Sequence, residues 1–129
     1  MALSWCFEDE GEGYADAVLD RLAGDGAVVP SIWPFEVLNG LIVGERRGRL
    51  TQAQSARFED LLGALPIDVE AAPGRERWPI LVSLAREHRL SAYDASYLEL
   101  ALRRSLPLAT LDAQLVQALE RSGALLLSA

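Results

Sequence analysis

Residues 91–112 read SAYDASYLELALRRSLPLATLD. Ser91 opens a helix that runs to about Arg104. Leu106 to Thr110 make a strand, and Asp112 stands between that strand and a further helix over 113–121. A helix, a strand and a second helix in so short a stretch indicate an α/β chain. The same stretch places two carboxylates, Asp94 and Asp112, at the ends of successive structural units.

Upstream, the alternation repeats. Residues 2–7 are apolar and residues 8–13 form an acidic turn. Tyr14, Val18 and Leu22 fall on one helical stripe, which Gly24 is expected to stop. Ala27 to Pro30 read as a short buried strand. Ser31 is expected to cap a helix that runs to about Arg47, with Pro34 tolerated in its first turn. That helix carries Ile32, Phe35, Leu38, Leu41, Ile42 and Val43, apolar nearly all round, so both of its faces are expected to be covered. Thr51 caps a helix to about Ala64, and Pro66 leads into a strand at 67–70. A loop at 72–74 precedes a helix over 79–88. Leu125 to Leu127 are a last short strand. Strands separated by helices imply a parallel sheet. No internal repeat or low-complexity tract interrupts the 129 residues, so a single domain is expected.

Half of the residues are apolar, which suits a real core and further burial at a subunit interface. No apolar run is long enough to span a membrane, and no secretory signal is visible. The one cysteine, Cys6, excludes an internal disulfide framework and fits the cytoplasm. With a single histidine, His88, a structural zinc site is excluded as well. His88 is expected at an exposed, basic helix end with no nucleophilic serine beside it. The net charge is −7, and all twelve basic residues are arginine. An acidic surface repels nucleic acid at long range, so RNA binding would need local clusters such as Arg46, Arg47 and Arg49. Cations near a helix C-terminus explain that cluster equally well.

The carboxylates have structural readings too. Ser91-x-x-Asp94 fits an acidic capping box, and Asp112 can be a simple N-cap. Glu36 is harder to explain that way. It shares a helical stripe with Ile32, Asn39 and Val43, a largely apolar setting. If the three acids converge they repel, by about 4 kcal/mol for two charges ~4 Å apart at an effective dielectric near 20. Such a cluster persists only by protonation or by binding a cation. An all-oxygen set favours Mg2+ or Mn2+, ions that serve phosphoryl chemistry.

The elements VPSIWPFEVLNGL, RRGRLT, LPIDV and LAREHRLSAYDASYLELALRRSLPLATLD, in this order and spacing, resemble PIN-domain ribonucleases, specifically VapC-type toxins of toxin–antitoxin pairs. The resemblance implies an α/β/α sandwich with a five-stranded parallel sheet. It implies a Mg2+- or Mn2+-dependent endoribonuclease, dimeric and held in check by a cognate antitoxin. Its acidic site falls on Glu36, Asp94 and Asp112, with Asn39 and Thr110 in supporting positions. Asp94 would bind the metal directly, Glu36 would orient the attacking water, and Asp112 would complete the shell. In-line attack would leave 5′-phosphate and 3′-hydroxyl ends.

Family members open with a hydrophobic strand ending in Asp-x-Ser. By the match of Ala2 to Trp5, that central strand and its aspartate fall ahead of Met1. Four buried apolar side chains of such a strand contribute about 6–12 kcal/mol, against a domain stability of about 5–15 kcal/mol. A start codon assigned too far downstream is therefore expected, with weak or absent cleavage by residues 1–129 alone.

Two other readings compete. A non-catalytic PIN-like module that dimerises and binds an antitoxin-like partner would use the apolar helix 32–47. A receiver-type phosphoacceptor is excluded, because its chemistry needs a lysine and this chain has none.

Overall fold

The computed structural model describes residues 13–127. The apolar segment 2–7, Cys6, most of the acidic turn and the strand placed ahead of Met1 lie outside the described residues. The described chain forms two compact units, meeting in sequence between Val69 and Glu70.

The first unit begins with α1, Gly13–Asp25, which buries Ala15, Val18 and Leu22 along one stripe. The helix passes through Gly24 and stops at Gly26. Gly26 sits at φ +80°, and a Cβ there would come within 3.0 Å of the Pro66 carbonyl oxygen. A left-handed residue pressed against backbone has to be glycine, so the stop belongs to Gly26. Next comes β1, Ala27–Val29, and then α2, Trp33–Arg46. Pro34 occupies the first turn of α2 as expected. Ser31 does not cap it: the N-cap is Ile32, in helical conformation and with no side-chain cap. The helix α3, Gln52–Gly63, starts with a complete capping box. Thr51 Oγ1 accepts from the Gln54 amide at 3.1 Å, and Gln54 Oε1 accepts from the Thr51 amide at 2.9 Å. The strand β2, Ile67–Val69, pairs parallel with β1 in the register Ala27 to Ile67 and Val29 to Val69.

Val37, Leu41 and Phe58 are the core of this unit, with Trp33, Leu50 and Leu62 packed against them. Ser55 Oγ donates to Glu45 Oε2 at 2.8 Å and ties α3 to the end of α2. Another stripe of α2 is left exposed among the described residues. Phe35, 70% exposed, stands with Leu38 and Ile42 on the surface. Spacings of three and four residues put these three on one line, away from the line of Val37, Leu41 and Gly44.

The second unit is a helical layer over a minimal parallel pairing. A 3-10 turn, Arg75–Arg77, runs into α4, Trp78–His88. Arg89 turns the chain in a left-handed conformation, and α5 follows at Ala92–Arg104. The helix α6, Ala113–Ser122, ends at Gly123 with φ +78°. Leu84, Leu90, Ala95, Leu98, Leu115, Ala118 and Leu119 fill the core between α4, α5 and α6. The expected strands at 106–110 and 125–127 are reduced to one parallel bridge, Leu108 to Leu126. The Leu108 amide donates to Leu125 O at 2.8 Å, and the Leu127 amide donates to Leu108 O at 2.9 Å. The chain is thus α/β, mostly helical, with a small parallel sheet. Among the described residues, that sheet has two strands rather than five.

Candidate functional site

Asp112 is the best-fixed of the three candidate acids. It is the N-cap of α6, and its Oδ1 accepts from the amides of Gln114 at 2.8 Å and Leu115 at 3.1 Å. Its own amide donates to Thr110 Oγ1 at 3.0 Å. Thr110 therefore supports Asp112 through the backbone, and Asp112 is exposed. Asp94 lies in the same unit, half-buried in the first turn of α5, where Ser91 Oγ accepts its amide at 3.0 Å. The favourable helix dipole suits a negative charge at both positions.

Glu36 belongs to the first unit. It is in the first turn of α2 and exposed, with Asn39 exposed one turn further on. On the stripe that singled Glu36 out, Ile32 and Val43 are half-buried while Glu36 and Asn39 themselves are exposed. The carboxylate chemistry of Glu36, Asp94 and Asp112 suits a hard divalent cation. Among the described residues, however, no three His, Cys, Asp or Glu residues are grouped so as to hold a metal ion.

Two features were not legible in advance. His88 is not exposed: its side chain is 3% accessible. It continues the stripe of Leu81 and Leu84 into the core, a spacing that outweighs the basic residues around it. Its Nδ1 has no hydrogen-bond partner among the described residues. The second feature is Glu99, 4% exposed in the middle of α5. Arg77 grips it with Nε at 3.2 Å and Nη2 at 3.1 Å, and Arg103 adds a bond of 2.7 Å. Arg103 also holds Glu70 at 2.6 Å, with Arg104 on the other Glu70 oxygen at 2.8 Å. The Arg103 guanidinium, hydrogen-bonded to Glu70, holds that carboxyl below its ordinary range, and Glu70 and Glu99 together push Arg103 up. A buried acid needs a counter-charge; here arginine supplies it, so Glu99 and Glu70 are structural. Only the Glu99–Arg103 spacing of four residues signals this in the sequence.

Residues 2–120 match the family model described as PIN domain. None of the curated proteins compared with the sequence matches it significantly. PIN domains are commonly nucleases that act on RNA, generally with divalent metal ions. With a match over nearly its whole length, and parallel pairings set among helices as that fold requires, the chain belongs to the PIN-domain family.

Proposed function

We propose that this chain is a Mg2+- or Mn2+-dependent endoribonuclease of the VapC type, the toxin of a type II toxin–antitoxin pair, acting as a single domain in the cytoplasm. The observation that carries this reading is the pair Asp94 and Asp112, set in the first turn and at the N-cap of two helices in one unit, with Asp112 fixed by two amides and braced by Thr110. Asp94 and Asp112 would hold the cation. When bound, such an ion supplies a polarised water and offsets charge on the phosphodiester. The protein's part is to fix the carboxylates and to present RNA. The helix N-termini at Asp94 and Asp112 favour negative charge, and two amide bonds hold the Asp112 carboxylate in place.

The exposed line of Phe35, Leu38 and Ile42 supports a second copy or an antitoxin as partner, since contiguous apolar surface marks interaction sites. It also favours the second reading, a binding module without catalysis. No helix among the described residues is long and apolar enough to cross a membrane.

A cleavage assay with labelled RNA separates the two readings. Cleavage is expected only with Mg2+ or Mn2+, is expected to stop on chelation, and should fall at least ~100-fold in Asp94→Asn, in line with losing one general or electrostatic catalytic group. Absence of Mn2+ binding through these acids in a metal titration, together with antitoxin binding untouched by Asp94→Asn, would establish the binding module instead.

A further inference from the structure

The first turn of α4 carries an exposed tryptophan that the proposed acidic site does not use. Trp78 is 51% exposed, yet its ring is held at two points. Its Nε1 donates to the Pro73 carbonyl at 3.2 Å, and the Arg75 guanidinium lies 5.4 Å from the ring centroid. Cation–π contact of this kind fixes a ring without hiding it. Trp78, Val82 and Arg86 follow one another at four-residue spacing. With Pro79, Ser83 and Glu87 they line an open hollow of about 700 Å³. From Trp78 to Arg86 the helix rises about 12 Å, the reach of a few stacked nucleotides at ~3.4 Å each.

The charge distribution indicates what this hollow takes. The whole net charge of −7 lies in residues 1–69, where 5 arginines face 12 acids; residues 70–129 carry 7 of each. In the second unit, Arg77, Arg103 and Arg104 are held by Glu99 and Glu70. Arg75 and Arg86 are in no ion pair among the described residues; Arg75 lies over the indole, and Arg86 lines the hollow next to Glu87. A half-open indole with one guanidinium over it and a second lining the same hollow suits single-stranded nucleic acid, where bases stack and phosphates pair with cations. A duplex keeps its bases stacked inside and gains nothing from the indole.

We infer that the Trp78–Val82–Arg86 face of α4 is a single-stranded RNA platform: a base stacks on Trp78 while Arg75 and Arg86 take neighbouring phosphates. The choice of RNA rests on the ribonuclease reading, and the platform's position is independent of the acids. It holds substrate and does no chemistry.

The test is binding of a fluorescent single-stranded RNA 12-mer to the full chain in EDTA, followed by anisotropy, so that binding is read without cleavage. Trp78→Ala should weaken binding about 10-fold, and duplex RNA of the same sequence should bind no better to wild type than to the variant. Arg86→Glu, at an exposed position, should weaken binding by a similar factor and flatten the salt dependence. It carries the test if circular dichroism shows Trp78→Ala unfolded. RNA binding that both variants leave unchanged would overturn the platform, as would a second protein copy that Trp78→Ala displaces without changing RNA affinity. Binding lost in Trp78→Ala by a protein that never cleaves would keep the platform and reject the nuclease. Cleavage lost in Asp94→Asn with binding indifferent to Trp78 would do the reverse.

Discussion

Asp112 meets two demands with one side chain, and substitutions can separate them. As an N-cap it bonds two amides of α6 through Oδ1; as a candidate ligand it needs its charge. Asparagine caps as well as aspartate, whereas alanine does not. Asp112→Asn is therefore expected to keep its urea midpoint and lose cleavage. Asp112→Ala should lose cleavage and about 1 kcal/mol of stability. Equal activity in wild type and Asp112→Asn would leave the residue a cap and nothing more. His88 poses the opposite case, a buried polar atom with no partner among the described residues. An unsatisfied buried group costs about 1–3 kcal/mol, and leucine would continue the stripe of Leu81 and Leu84. His88→Leu should raise the urea midpoint; a lower midpoint would show that the imidazole is satisfied after all.

At the scale of elements, α5 is anchored by charge on one side and by Leu98 on the other. The ion pairs of Glu70 set a pH dependence whose sign follows from its depressed folded-state pKa. A carboxylate held below its unfolded value of 4.5 contributes stability that is fully present above that pH. The contribution is lost as pH falls through the folded-state value. Wild type should therefore exceed Glu70→Gln in urea midpoint at pH 7, and the gap should narrow as pH falls below 4.5. A gap independent of pH would assign the effect to packing. The helices themselves were largely legible: Thr51 with Gln54, Ser91 and Asp112 all cap where their side chains predict. The strands were less so. Apolar runs at 106–110 and 125–127 read as strands, but a strand exists only where a neighbour offers consecutive partners, and here only Leu108 and Leu126 pair.

Across the whole molecule, charge and apolar surface are unevenly shared. Acidic residues concentrate in the first 69 positions, and the exposed line of Phe35, Leu38 and Ile42 stands on α2 in the same part of the chain. If that line joins two copies, sedimentation velocity should give a dimer for wild type and a monomer for Phe35→Asp with its helix content intact. A wild-type monomer would leave the line to the antitoxin. The sequence by itself determined the α/β class, the helix starts at Thr51, Ser91 and Asp112, and the choice of the candidate acids Glu36, Asp94 and Asp112, with Thr110 and Asn39 as candidate supports. Caps, periodicity and residue chemistry are local properties that a linear reading can hold. Only the tertiary structure decided which apolar stripe of α2 is buried, that His88 is inside, and that Glu99 is neutralised by Arg77 from 22 positions away. Burial and ion pairing depend on what the folded chain brings alongside each residue, and residues distant in sequence leave no local mark of meeting.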